Sequence, residues 1–243
     1  MHVFADLHTH TRFSHGKGTV EENVKAAAEL GLEQVAITDH GPASWFTVGI
    51  RDFGILREIR NQAKRCARKY RIEVLVGLEA NVIDPHGHID VPPFIAAELD
   101  LLLVGLHLHI IPRRTLGALQ LLFPHYLARF TGFGRAWSRE HNTKALIAAV
   151  ENNDVDIVTH PGLSLSIDTG ALAMVCAREG VALEINTSHL QSNPEFIMTG
   201  KEAGAAFAIC SDAHSPSRVG DFARGIKHAQ TAGLSVSQII NAR

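Results

Sequence analysis

The sequence has little of what a secreted or membrane-spanning protein needs. It contains three cysteines in 243 residues, Cys66, Cys176 and Cys210, and their wide spacing excludes a disulfide framework or a CxxC motif, so a reducing compartment is expected. No apolar run approaches the roughly 18 residues of a membrane span, and no cationic stretch with an apolar segment follows Met1, as a signal peptide would require. These absences predict a cytoplasmic protein with no membrane partner.

An excess of either charge is also missing. Lys and Arg number 23 against 25 Asp and Glu, for a formal net charge of −2. Without a basic balance the chain has no overall footprint for a nucleic-acid backbone, although local basic patches stay open. Linkers, repeats and low-complexity segments are absent too, which predicts a single domain over residues 1–243. The oligomeric state is left open.

Short apolar runs alternate with helical patterns along the whole chain. A parallel α/β sheet covered by helices on both faces is the fold that this alternation favours. Thr19 is a candidate N-cap for the first helix, and Gly31 ends that helix. Strands are predicted at 3–7, 34–38, 74–78, 101–106, 156–159, 182–185 and 206–209, and helices at 19–30, 51–70, 138–150, 169–179 and 195–202.

The 15 histidines are the abundant feature, and many of them follow a predicted strand. Six of the seven strands carry a histidine or carboxylate of metal-ligand type at or just past the C-terminal end. The remaining strand, which is the sixth in the chain, offers Glu184 and Asn186. In a β/α barrel that end holds the active site. Residues two apart on a strand share a face, as His8 and His10 do. Imidazole and carboxylate together suit zinc, and also iron or manganese. The candidate ligands are His8, His10, His15, His40, Glu79, His107, His160, Asp212 and His214.

The motifs that carry these residues resemble those of the polymerase and histidinol phosphatase (PHP) family, in particular its stand-alone bacterial phosphatases. The motifs are DLHTH (6–10), SHG (14–16), TDHGP (38–42), GLEAN (77–81), GLH (105–107), THPG (159–162), EIN (184–186) and SDAH (211–214). The resemblance implies a distorted (β/α)7 TIM-like barrel with three divalent metal ions, commonly zinc, at its C-terminal mouth.

The resemblance also divides the ligands among the three ions. His8, His10, Glu79 and Asp212 would hold the first ion. Glu79 would bridge to a second ion, which His107 and His160 also hold. His15, His40 and His214 would hold the third. The alternative for all nine is a set of buried structural groups that satisfy one another, which would be costly without metal.

Such a centre predicts hydrolysis of a small phosphate monoester, and histidinol phosphate is one candidate. A metal pair can activate a water molecule as hydroxide and clamp the phosphoryl oxygens, so no nucleophilic side chain is needed. The catalytic role is assigned to Glu79, Asp212 and His214. The alternative is a nucleic-acid-processing, exonuclease-like or polymerase-associated PHP module. A degenerate, purely structural metal domain is disfavoured because no ligand is missing.

Substrate contacts are less well marked by sequence. His189, which could contact substrate or act as an acid, and Arg218, which could bind phosphate, are candidates. The alternative for Arg218 is a surface charge at the start of a helix. The 53 residues from His107 to His160 (160 − 107) are many for the family, and they predict an inserted helical segment at about 112–137. This segment either packs on the barrel or a second subunit, or forms a lid. In the lid, Arg113 and Arg114 would bind the anionic substrate.

Overall fold

The computed structural model describes residues 1–44, 48–108, 110 and 134–243. Seven strands form one sheet in which they follow their order in the chain, and every neighbouring pair is parallel. Their bounds are β1 Ala5–Asp6, β2 Gln34–Ile37, β3 Glu73–Asn81, β4 Leu101–Gly105, β5 Ile157–Val158, β6 Ala182–Asn186 and β7 Ala206–Cys210. Beyond the last strand, Thr9 and Ala213 form a parallel bridge between the first and last segments. The sheet is thus a nearly closed barrel, and the predicted distorted (β/α)7 fold is confirmed.

Helices cover the outside of this barrel. Their bounds are α1 Val20–Glu29, α2 Ile55–Tyr70, α3 Pro93–Ala96, α4 Arg135–Asn152, α5 Thr169–Glu179, α6 Pro194–Glu202 and α7 Ala223–Thr231, with 3-10 turns at Pro216–Arg218 and Val236–Gln238. The predicted caps of the first helix are confirmed. Thr19 and Glu22 form a reciprocal capping box, and Gly31 follows with a φ of 73°, which glycine adopts without strain. No helix in the described ranges is long and apolar enough to span a membrane.

Some boundaries differ from the predictions. Helix α2 begins at Ile55 rather than 51, because the Asp52 carboxylate accepts the Gly54 N–H and closes a turn before the helix. Strand β3 extends to Asn81 because it stays paired with β4 as far as Gly105, so Glu79 lies within the strand. Helix α4 begins at Arg135 and takes the last residues of the predicted insertion. Residues 111–133, with Arg113 and Arg114, lie outside the described part of the chain.

The barrel interior changes from apolar to polar along its axis. Its lower layer consists of buried apolar side chains, among them Ala36, Leu103, Ile157 and Ala208. Side chains two residues apart on a strand share a face, so on β6 the inward positions after Ala182 are Glu184 and Asn186. The apolar layer fills the barrel from below, and the polar side chains are confined to the C-terminal mouth.

The three cysteines are free and buried. Burial raises the pKa of the Cys176 thiol to about 12, so this thiol stays protonated and unreactive in the folded protein.

The seam between β1 and β7 is filled from below by the C-terminal residues. Asn241, 1% exposed, donates from its amide to the carbonyls of Ala5 at 2.8 Å and Ile209 at 2.7 Å. Its side-chain oxygen accepts the Ile209 N–H at 3.0 Å. One side chain thereby connects the backbones of β1 and β7.

Asn241→Ala should therefore lower the free energy of unfolding by about 2–3 kcal/mol, since buried backbone groups lose their partners. Urea unfolding of the purified protein measures the change. Ile240→Ala, at a neighbouring side chain that is 48% exposed, is the control and should change stability by less than about 0.5 kcal/mol. Equal effects of the two substitutions would contradict the role of Asn241.

Candidate metal centre

All nine predicted ligands come together at the C-terminal mouth of the barrel, and Glu79 stands at their centre. Its side chain is fully buried. One oxygen, Oε2, lies 3.4 Å from His8 Nε2, 3.6 Å from His10 Nε2 and 2.6 Å from His40 Nδ1. The other, Oε1, lies 2.8 Å from His160 Nε2 and 3.3 Å from His107 Nε2. The two oxygens of one carboxylate thus face two separate groups of imidazoles.

The first group consists of His8, His10, Glu79 and Asp212. The two imidazole Nε2 atoms are 3.0 Å apart, and Asp212 Oδ1 lies 3.7 Å from His8 Nε2 and 3.2 Å from His10 Nε2. A tetrahedral zinc site with ligand distances of about 2.0–2.1 Å has edges of about 3.3–3.4 Å. The spacing of these donor atoms, with that to Glu79, fits such a site.

The second group consists of Glu79 Oε1, His107 and His160. The Nε2 atoms of the two histidines are 3.4 Å apart. With the distances from Glu79 they form a triangle of donor atoms of similar size to a face of the first group. The side-chain oxygen of Asn81 lies 2.8 Å from His107 Nδ1. A proton on that nitrogen leaves Nε2 free for a metal, which is the usual arrangement around a ligating histidine.

The remaining imidazoles lie above the first group. The ring centroid of His15 is 4.9 Å from that of His40 and 4.2 Å from that of His214. His10 is also close, since the donor atoms of His10, His40 and His214 lie within 4.8 Å of one another. His10 therefore stands between the first group and the third, although the resemblance assigns it to the first alone.

Several buried side-chain nitrogen and oxygen atoms in this cluster have no hydrogen-bond partner within the described ranges. They are His10 Nδ1, His40 Nδ1 and Glu79 Oε2. The last two are only 2.6 Å apart, but not in hydrogen-bonding geometry. Orphaned buried polar atoms are rare and need an explanation. Lone pairs that converge without satisfying one another fit a cation, which is the test that a metal centre has to pass.

The electrostatics of the cluster suit the same interpretation. Burial alone would raise the pKa of Glu79, but His40, His8, His107 and His160 hold it well below its usual range. The pKa of Asp212 is likewise held well below its usual range, because His8, His10 and His189 outweigh its burial. Burial, with His40 and His214 nearby, lowers the pKa of His15 to about 4. These directions favour charged carboxylates and a neutral His15. Glu184 and Glu79 instead raise the pKa of His8 against its burial, and Glu79 raises that of His160, so a metal ion would bind these two histidines in exchange for protons.

Two aspartates adjacent to the ligands support loops rather than imidazoles. Asp39 accepts hydrogen bonds from the Thr11 N–H at 2.7 Å and hydroxyl at 2.6 Å, and from the Ser14 hydroxyl. It thereby holds the loop that carries His15. Asp6 accepts from the N–H and hydroxyl of Ser211 and from the Gly220 N–H, and it holds the loop after β7.

The candidate substrate residues separate in space. His189 lies at the edge of the cluster, with Nε2 3.2 Å from Asp212 Oδ2 and a side chain that is 37% exposed. The guanidinium of Arg218 instead pairs with Asp221 on the surface. Glu184 and Asn186 have no predicted role, yet both are buried inside the cluster. Their position at the end of the sixth strand was the available signal.

The nearly closed barrel, with histidines and carboxylates at its C-terminal mouth, defines a metal-dependent hydrolase. The model of the PHP domain family matches residues 6–188, and the chain belongs to this family. A probable phosphatase of Thermoanaerobacter sp. (strain X514) is 30% identical over 251 residues, which cover 99% of this chain and 91% of that protein. A probable phosphatase of Caldanaerobacter subterraneus subsp. tengcongensis is 31% identical, and the match covers 99% of this chain and 88% of that protein. The chain is a hydrolase of the phosphoesterase class.

Solved structures share the fold. Histidinol phosphate phosphatase from Lactococcus lactis, in complex with zinc, L-histidinol and phosphate, is similar with a TM-score of 0.61 at 14% identity and covers 96% of this chain and 95% of its own. A chain of archaeal ribonuclease P with mature tRNA has a TM-score of 0.51 at 16% identity, and the match covers 88% of this chain and 76% of that chain. At such identities the likeness concerns the fold alone.

Proposed function

We propose that this protein hydrolyses a small phosphate monoester in the cytoplasm at a centre of three divalent ions, zinc in the first instance. His8, His10, Glu79 and Asp212 would hold one ion, and Glu79, His107 and His160 a second. His15, His40 and His214 would hold the third. The observation that carries the proposal is that the two oxygens of Glu79 face separate groups of imidazoles.

Bound metal would supply the positive charge that generates hydroxide near neutral pH and stabilises an in-line displacement. The residues of the chain set up that chemistry. Glu79 and Asp212 provide fixed negative charge, and their burial excludes water that would screen it. His214, 35% exposed at its side chain, would meet an entering substrate. His189 faces the other oxygen of Asp212 and would contact the phosphoryl group from there.

The size of the substrate is the finer part of the proposal. Histidinol phosphate belongs among the candidates because the phosphatase of Lactococcus lactis with this fold is named for it. A nucleic-acid strand is the competing substrate, and the near balance of 23 basic and 25 acidic residues provides no general attraction for it.

A substrate panel should separate these possibilities. Histidinol phosphate, nucleotides, other phosphorylated metabolites, p-nitrophenyl phosphate and single-stranded DNA would be offered to the metal-loaded protein. We expect turnover of small monoesters at least about tenfold above that of DNA, with phosphate release as the readout. Glu79→Gln protein from the same preparation is the control for contaminating phosphatases. Hydrolysis of DNA in preference to every monoester would overturn the proposal in favour of the nucleic-acid-processing alternative.

A further inference from the structure

Strand β6 contributes none of the nine candidate ligands, although it ends at the same mouth as the others. Its inward positions there are occupied by Glu184, which is fully buried, and Asn186, which is 1% exposed. A buried carboxylate and amide at such a place need partners. Their partners are the candidate ligands on three other strands.

Glu184 connects the end of β1 to the end of β5. Its Oε1 lies 2.7 Å from His8 Nδ1, so a proton on Nδ1 leaves Nε2 directed at Glu79 and Asp212. Its Oε2 accepts the backbone N–H of His160 at 2.6 Å. One carboxylate therefore orients a ligand of the first group and holds the backbone of a ligand of the second.

Asn186 connects β6 to the end of β7. Its amide donates to Asp212 Oδ2 at 3.1 Å and to Glu184 Oε2 at 3.0 Å. Its side-chain oxygen accepts the N–H groups of Ser188 at 2.9 Å and His189 at 3.1 Å. The same side chain thus holds a candidate ligand and shapes the loop from which His189 reaches Asp212.

Two of the candidate ligands that hydrogen-bond to β6, His160 and Asp212, have strained backbones. His160 has a φ of 26° and Asp212 a φ of 52°. Within the described ranges, Arg71 at the end of α2 is the other non-glycine residue with positive φ. Non-glycine residues adopt this region rarely, and they keep it only where the surroundings determine it. The hydrogen bonds from Glu184 and Asn186 are part of those surroundings.

We propose that β6 is the positioning strand of the metal centre. Glu184 and Asn186 bind no ion, but they hold His8, His160 and Asp212 in the geometry that binds one. This inference rests on the proposed function, since it takes the nine residues to be ligands. It adds two positioning residues whose effect is transmitted through the ligands of two metal groups.

The chemistry of the two side chains decides the substitutions. Glu184 accepts hydrogen bonds from His8, His160 and Asn186. Glutamine has the same shape but a single acceptor oxygen, so in Glu184→Gln an NH2 group faces one of these donors. Asn186→Ala removes both the donor to Asp212 and the acceptor for the His189 loop.

Asn241→Ala is the matched control. Asn241 is the same residue type, is also 1% exposed and also makes several hydrogen bonds to backbone, but its partners are Ala5 and Ile209 rather than a candidate ligand. Its loss should destabilise the fold without removing a hydrogen bond from any candidate ligand. A comparison with Asn186→Ala separates positioning of the ligands from general destabilisation.

The experiment measures the affinity of metal-free protein for Co²⁺ by competition with a chelator, together with the visible spectrum of bound Co²⁺. We expect Glu184→Gln and Asn186→Ala to bind the ion about 10–100-fold more weakly, which is the usual effect of losing a partner of a ligating side chain. Their spectra should also differ from that of the wild type, whereas Asn241→Ala should match the wild type in both respects. Circular dichroism of each metal-free variant checks the fold, and Asn186→Ser replaces Asn186→Ala should the latter not fold.

Wild-type affinity in both β6 variants, or a loss no larger than that of Asn241→Ala, would overturn the positioning role while leaving the proposed function intact. Failure of the wild-type protein itself to bind Co²⁺ would overturn both. The two failures are therefore distinguishable in one set of titrations.

Discussion

Glu79→Gln should lower kcat for p-nitrophenyl phosphate by at least about 100-fold, the scale of losing a central electrostatic element. Glutamine keeps the shape of the side chain but loses the charge that would offset two dications. The amide would also place its NH2 group against the imidazole nitrogens of one of the two groups that now face the carboxylate oxygens. Both groups of ligands would be disturbed, so metal content should fall together with turnover.

His15→Ala is the comparison for Glu79→Gln. His15 belongs to one group only and lies at its outer side, with its ring 4.2 Å from that of His214. Its loss should therefore reduce turnover less than the loss of Glu79. Steady-state kinetics and elemental analysis of both variants test the order. Near-normal turnover and metal content in Glu79→Gln would show that Glu79 is not a bridge.

Protein purified without chelator should contain two to three equivalents of transition metal per chain, and removal of the metal should abolish phosphate release. The proposed sites need ten ligand bonds (4 + 3 + 3), which nine residues supply if Glu79 is shared. The buried histidines and carboxylates would otherwise carry the penalty of unsatisfied polar groups in a dry site. Metal removal should therefore also lower the melting temperature, since an ion that binds only the folded state stabilises it.

Elemental analysis gives the stoichiometry and the identity of the metal. Zinc, iron or manganese would then be added singly to the metal-free protein. The activity that each ion restores ranks the three. A chelator too large to enter the mouth controls for effects on the assay itself. Fewer than two equivalents, with activity that survives chelation, would contradict the metal centre.

Much of the fold was predictable because its signals are local. Thr19 with Glu22 is a capping box that four consecutive residues define, and the structure contains it. Helix α5 has the predicted bounds Thr169–Glu179, and Gly180 follows it with a φ of 74°. The seven strands were found because each is a short apolar run bounded by polar residues. The motifs placed the candidate ligands at or after the ends of predicted strands, and the structure brings all nine together at the barrel mouth.

Other features depend on pairing between distant segments, which a local pattern does not encode. The length of β3 follows from its register with β4, so only the fold shows that Glu79 lies inside a strand, where its two oxygens face different groups. Residues 112–133 of the predicted insertion, with Arg113 and Arg114, lie outside the described residues and remain a prediction from sequence.

The sequence by itself determined the class of site, because strand-end histidines and carboxylates are recognisable one motif at a time. The tertiary structure alone decided which side chains hydrogen-bond to these residues and to the strands that carry them. Glu184 and His8 are 176 residues apart and form a buried contact, and Asn241 reaches Ala5 across 236 residues. Closing the barrel places the first strand beside the last segment of the chain, and the hydrogen-bond partners of buried polar groups are chosen only at that point.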